Sequence, residues 1–210
     1  MAKPFMTRRG FFQTLFGQRK AKLSFFALQL VFDAFGHEEL RARLTGLIDS
    51  PGSETPDEKR RFYKSVTGLL REVEPYLEYA CFEYIVEPTQ AEEAFHEWVA
   101  DIEAGIASEE EEVGDTIDGY HRMDNEKGYV AVTLLLLFEQ AHPLDGELDE
   151  EEEDLYTRAH LGKMVDSINR IDFNRTVADA AFIVPGSAED GFSWADLADE
   201  SWSHLKTVNG

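Results

Sequence analysis

Cysteine occurs once in 210 residues, as Cys81, so no internal disulfide can staple the fold and nothing in the cysteine count points to an oxidising compartment. Basic residues are scarce as well: 20 Lys and Arg face 42 Asp and Glu, for a net charge of −22. That balance argues against nucleic acid as a partner, because such binding depends on neutralising phosphates with Lys and Arg. It favours a protein partner, in particular a basic one. Long hydrophobic runs are missing too. The longest, Tyr129 to Phe138, has about half of the roughly 20 residues that a membrane-spanning helix needs. Taken together, these absences predict a cytoplasmic location. Catalytic signatures are also lacking: there is no Gly-x-Ser-x-Gly, no Walker loop and no Gly-x-Gly-x-x-Gly. The acidic runs Glu109 to Glu112 and Asp145 to Asp154 lack the alternating ligands and central glycine of a calcium loop.

What is present is apolar bulk. A hydrophobic fraction of 43%, with 15 Phe, 7 Tyr and 3 Trp, is enough for a buried core. No Pro/Gly/Ser-rich linker divides the chain, so residues 23–210 read as a single domain. Residues 1–22 are set apart by charge, holding Lys3, Arg8, Arg9, Arg19, Lys20 and Lys22 and no acid. The remaining 14 basic and 42 acidic side chains give the body −28. Thr7-Arg8-Arg9-Gly10-Phe11-Phe12 looks like a twin-arginine export signal, but Gln18-Arg19-Lys20-Ala21-Lys22 interrupts the apolar stretch such a signal requires. As a helix, this arm would place Phe12, Leu15 and Phe16 on one face beside Arg8, Arg9, Arg19 and Lys20, the composition of a membrane-surface helix. The arm is therefore expected to contact an acidic surface, either an anionic membrane or its own body. Tethering at high effective concentration favours the body.

Along the chain, Leu23 to Phe35 and then Glu38 to Leu47 read as one or two helices. Thr55-Pro56-Asp57-Glu58 is a capping box opening a helix that runs to about Val73, before Pro75. Tyr76 to Val86 alternates and is rich in aromatics, which predicts a strand. Thr89 caps the next helix, with Phe95, Trp98, Val99 and Ile102 on its apolar face, fraying at Glu109 to Glu112. Tyr129 to Phe138 and Val177 to Val184 are expected as neighbouring parallel strands joined through a helix from Leu155 to Ile171. Ser193 caps a last short helix, with Phe192 and Leu197 at staple positions. The expected class is α+β: N-terminal helices, then a small mixed sheet containing a βαβ unit, with helices packed on the sheet.

Two segments, Glu93-Ala94-Phe95-His96 and Glu139-Gln140-Ala141-His142, fit the Glu-x-x-His pattern of di-iron four-helix bundles. An acidic chain generates such coincidences by chance, and the pattern needs residues 129–142 to be helical. A di-iron or di-manganese carboxylate protein using Glu93, His96, Glu139 and His142 is thus the alternative reading. The main reading is a binding or regulatory protein without catalytic residues or cofactor. Cys81, in an expected core strand, reads as a small hydrophobe.

Val132-Thr133-Leu134, then Ala181-Phe182-Ile183-Val184-Pro185, then Glu189-Asp190-Gly191-Phe192-Ser193-Trp194-Ala195-Asp196-Leu197 form an ordered series. In order and spacing it resembles an uncharacterised family of cyanobacteria, other bacteria and chloroplasts whose plant members are called fluctuating-light acclimation proteins. The resemblance spans about Leu23 to His204. This chain has Ile183-Val184 where the family has Trp-Thr, and Ser201-Trp202 where it has Tyr-Pro. The resemblance implies an α+β domain with a regulatory role around membranes, and it brings no catalytic residues.

Overall fold

A computed structural model describes residues 8–9, 22–33, 42–43, 46, 55–115, 128–148, 155–184, 193–198 and 200–210. Six strands, β1 (Arg8–Arg9), β2 (Ser24–Asp33), β3 (Leu77–Ile85), β4 (Tyr129–Phe138), β5 (Thr176–Val184) and β6 (Lys206–Thr207), form one sheet in the order β1-β5-β4-β2-β3-β6. Among the described residues, helices α1 (Pro56–Glu72), α2 (Pro88–Asp115), α3 (Arg158–Ile168) and the single turn α4 (Trp194–Leu197) accompany it. The class is α+β, with helices packed on the sheet.

Alternate residues of the central strands face opposite sides, and both sides are covered. On one side Phe26, Leu28, Leu30 and Phe32 of β2 and the even-numbered residues Val130 to Phe138 of β4 pack under α1 and α3. The opposite side is divided. Phe25, Ala27, Leu135 and Leu137 lie under Ala91, Ala94 and Phe95 of α2. Val31, Ala131 and Val184 pack with Leu197, Trp202 and Leu205 from the C-terminal segment. Double coverage explains why β2 and β4 are apolar without alternation.

It also explains the largest correction to the sequence reading. Leu23 to Phe35, expected as a helix, is the strand β2 from Ser24 to Asp33. An apolar run buried on both faces carries no period by which strand and helix can be told apart, and here pairing with β3 and β4 on either side decides for strand. Further on, Ala42, Arg43 and Gly46 are helical, within the expected Glu38 to Leu47 segment.

The second correction concerns direction. β4 and β5 are neighbours, but antiparallel, as are all strand pairs in this sheet. The backbone N–H of Glu139, just past β4, donates to the carbonyl of Arg175, just before β5 (2.8 Å). The intervening connection therefore leaves and re-enters at the same end of the sheet. With 11 residues, α3 is roughly 16 Å long, about half the ~33 Å of a ten-residue strand, so it does not complete a crossover.

Local signals held where their chemistry is local. Thr55 Oγ1 accepts from Glu58 N (3.3 Å) while Glu58 Oε2 accepts from Thr55 N (3.0 Å), closing the capping box. For α2 the cap is displaced: Pro88 is the first helical residue and the Glu87 carboxylate, not Thr89, accepts from Gln90 N (2.7 Å). The helix backbone continues through the acidic run to Asp115. α3 begins at Arg158, capped by Thr157, three residues after the expected start. Ser193 Oγ accepts from Asp196 N (3.2 Å) as α4 opens; Phe192, the expected staple partner, lies outside the described residues.

A bulge between Val31 and Phe32 pairs them with Tyr79 and Leu77, leaving Glu78 as the extra residue. Leu77 thereby joins Ala80 in the core under α1 and α3, which simple alternation does not predict. The Glu78 carbonyl accepts from Val208 N (2.8 Å), and Asn209 exchanges backbone bonds with Tyr156 and Arg158. The C-terminal segment is thus held between the β3 edge and the start of α3. Between α1 and α3, Gly162 leaves room for the Arg71 guanidinium, which overlies it and reaches Glu74 (2.5 Å) and Asp166 (3.6 Å).

Candidate functional site

Buried polar groups in a sheet covered on both faces are the informative exceptions. On the α2 side they are Gln29 of β2 and Thr133 of β4, 4% and 2% exposed and directly opposite in register. The pair sits at the seam between the patch under α2 and the patch under the C-terminal segment. Gln29 Nε2 donates to Thr133 Oγ1 (3.0 Å), which turns Gln29 Oε1 toward His204 Nε2 at 2.6 Å. With that amide orientation the imidazole Nε2 carries the proton and donates.

Tryptophans bracket His204. Trp202 stacks on its ring at 6.2 Å and 23°, and Trp98 of α2 meets it edge-on at 6.0 Å. The Trp98 indole N–H donates to Glu83 Oε2 (2.6 Å), tying α2 to β3. Cys81, opposite Gln29 on β3, is half-buried. Burial, and secondarily the charge of Glu83, push its thiol up to about 11, with Lys206 acting in the opposite sense. A nucleophilic cysteine needs the reverse shift. The seam is a hydrogen-bonded array of amide, hydroxyl and imidazole beside an unactivated thiol.

A second cluster lies across the sheet. His142, in the turn after β4, is buried with its ring 4.2 Å from Phe26. Its Nδ1 accepts from Leu144 N (3.2 Å) and its Nε2 faces Ser167 Oγ (3.3 Å). Tyr84 OH accepts from His142 N (3.0 Å) and donates to Asp145 Oδ1 (2.5 Å). Burial, then Arg170, lower the His142 pKa to about 4, against an opposing pull from Asp145. The Ser–His pair is not a nucleophilic site. Ser167 is fully buried and donates to the Met164 carbonyl (2.6 Å). Nδ1 accepts from backbone, whereas a triad histidine donates from Nδ1 to a carboxylate.

A third closed group joins α1 to β5: the Lys59 ammonium contacts Asp179 Oδ1, and Tyr63 OH donates to Asp179 Oδ2 (3.1 Å). Both charged residues are buried.

The four residues of the metal alternative are not brought together. Glu93 and His96 lie on the exposed side of α2. His142 packs against Phe26 and Phe138 on the opposite face of the sheet. Residues 129–138 form β4 instead of the helix that pattern requires. Among the described residues no group of three or more His, Cys, Asp or Glu is placed to hold a metal ion. Of the arm residues, Arg8 and Arg9 form β1, paired with Ala181 and Ala180 of β5. Phe12, Leu15, Phe16, Arg19 and Lys20 lie outside the described residues. Among those described, no helix is long and apolar enough to cross a membrane.

The sequence reading missed Gln29, Thr133, His204, Lys59 and Asp179. A signal existed for three of them: Gln29, Thr133 and Asp179 each interrupt an otherwise apolar run. No protein-family model, curated protein or solved structure matches this chain.

Proposed function

We propose that this chain is a non-enzymatic binding or regulatory protein whose partner is a protein with a basic surface. The observation that carries this reading is the charge of −28 on residues 23–210 beside an arm with six basic residues and no acid. Such a body attracts cationic segments over a distance and suppresses acidic partners. The raised Cys81 thiol and the closed bonding of His142 and Ser167 support the same reading, since they are unsuited to nucleophilic work, and Lys59 and Asp179 are buried against each other. The family resemblance supports a regulatory role. Two of its motifs are cross-strand partners here: Val132, Thr133 and Leu134 pair with Ile183, Phe182 and Ala181.

Fluorescence anisotropy with length-matched basic, neutral and acidic peptides, and sedimentation with anionic vesicles, test the reading. Selective binding of the basic peptides, weakening as salt shortens the Debye length to ~8 Å at 0.15 M, is expected. Equal binding of all three peptide classes, or binding to vesicles alone, defeats it.

A further inference from the structure

The outer side of β5 is where this sheet receives a strand from a segment distant in sequence. Of its nine residues, Ala180 and Ala181 pair with β1. A strand edge offers a ladder of N–H and C=O groups to any extended chain that reaches it. This edge is firmly held from behind. β4 pairs along its inner side, and Asp179, next to Ala180, is fastened to Lys59 and Tyr63 of α1. A preorganised edge loses little on receiving a strand.

The segment it receives here is basic. Arg8 and Arg9 belong to an arm with six basic residues, and the body carries −28. Thirteen residue-to-residue steps lead from Arg9 to Lys22, a length that spans up to roughly 43 Å. β1 and β2 are three strand spacings apart in the sheet, or about 14 Å. Chain length thus sets no obstacle to pairing or release, and tethering holds the arm near its site at about millimolar effective concentration.

We propose that the outer edge of β5 is the binding site for an extended Arg/Lys-bearing segment of a partner protein. In this proposal Arg8–Arg9 is the built-in occupant that the partner displaces. The proposal rests on the reading of the chain as an acidic binding protein and names its site.

The test uses the full chain in three forms: wild type, Arg8→Pro/Arg9→Pro, and Arg8→Gln/Arg9→Gln. The proline pair removes both backbone donors of β1, whereas the glutamine pair removes the charges and keeps the donors. The probe is a fluorescent peptide with the sequence of residues 1–22. Affinity is read by anisotropy, and protection of the Ala180 and Ala181 amides by hydrogen exchange. The expected result is at least tenfold tighter peptide binding by the proline variant than by wild type. Of Ala180 and Ala181, the one whose amide faces β1 and not β4 should exchange faster in the proline variant and regain protection when the peptide is added, while the glutamine variant keeps its protection.

Equal affinities for wild type and the proline variant, or β5 protection unchanged by either proline or peptide, overturn the edge site. Loss of protection in the glutamine variant equal to that in the proline variant also overturns it, since charge and not strand pairing would then hold the arm. Salt-sensitive binding of equal strength in all three forms removes the edge site and leaves the acidic binding protein intact. No binding of the peptide by any form at low salt removes both.

Discussion

Acidification from pH 7.5 to 4.5 perturbs this fold through His142, whose surroundings set both the sign and the size of the effect. The ring is packed against Phe26, its Nδ1 accepts from Leu144 N, and burial with Arg170 lowers its pKa from 6.5 to about 4. As pH falls, the unfolded chain takes up a proton near 6.5 and the folded chain only near 4. Between those values the unfolded state binds more protons, so stability is complete above pH 6.5 and declines down to about pH 4. At 1.36 kcal/mol per pH unit, reaching pH 4.5 removes roughly 2–3 kcal/mol. Urea unfolding followed by circular dichroism at pH 7.5, 6.5, 5.5 and 4.5 measures this, with His142→Gln alongside. Protonation of the many carboxylates is common to both proteins and cancels in their difference. Whatever the offset at pH 7.5, the wild-type advantage should shrink by roughly 2–3 kcal/mol by pH 4.5. A wild-type minus variant difference that stays flat across that window would refute the assignment of a buried, neutral His142.

Three further outcomes follow from the other buried polar groups. Lys59→Met strands the Asp179 carboxylate in the core and should destabilise the fold by about 3–5 kcal/mol, while Lys59→Met combined with Asp179→Leu should recover most of that loss in the same urea assay. Thr133→Val leaves Gln29 Nε2 without its acceptor and should cost about 1–3 kcal/mol; a double-mutant cycle with Gln29→Leu should show positive coupling, and strict additivity would remove the hydrogen bond from the account. The Cys81 thiol, at about 11 against an ordinary 9.0, should react with a disulfide reagent at pH 8 about tenfold more slowly than a free cysteine, its much smaller thiolate fraction being partly offset by the greater nucleophilicity of a more basic thiolate, and labelling as fast as that of a free cysteine would contradict the shift.

What could be read from the sequence was what depends on neighbours in sequence. The Thr55–Glu58 capping box and the Ser193 cap are i to i+3 chemistry and stand as read. β3, rich in aromatics and half-buried along most of its length, was identified as a strand, and β4 and β5 were placed correctly as neighbours. Their direction was not readable. It turns on the bond between Glu139 and Arg175, a contact closing a long connection whose course no local pattern encodes. The α2 cap moved from Thr89 to Glu87 for a related reason. Two adjacent starts are locally acceptable, and Pro88 at the first helical position favours the earlier one.

The misreading of β2 and the failure to find the polar seam have one cause. At 3.6 residues per turn, Gln29 is a single polar residue on an apolar helix and has no particular partner. At a period of two, it shares a face with Phe25, Ala27 and Val31, and register then places it opposite Thr133, 104 positions away. The amide and hydroxyl become a matched donor and acceptor only after the strand is recognised. His204 enters because the amide, having given its N–H to Thr133, presents an oxygen at the one line of that face where α2 and the C-terminal segment meet. The same logic applies to Asp179. Within a strand it points inward on the sheet's outer flank, where a charge opposes strand slippage, and its counter-ion Lys59 stands in the first turn of α1, where acids are usually found. Lone polar residues inside apolar runs were therefore the legible trace of the long-range contacts, and the correct period was what gave each of them a partner.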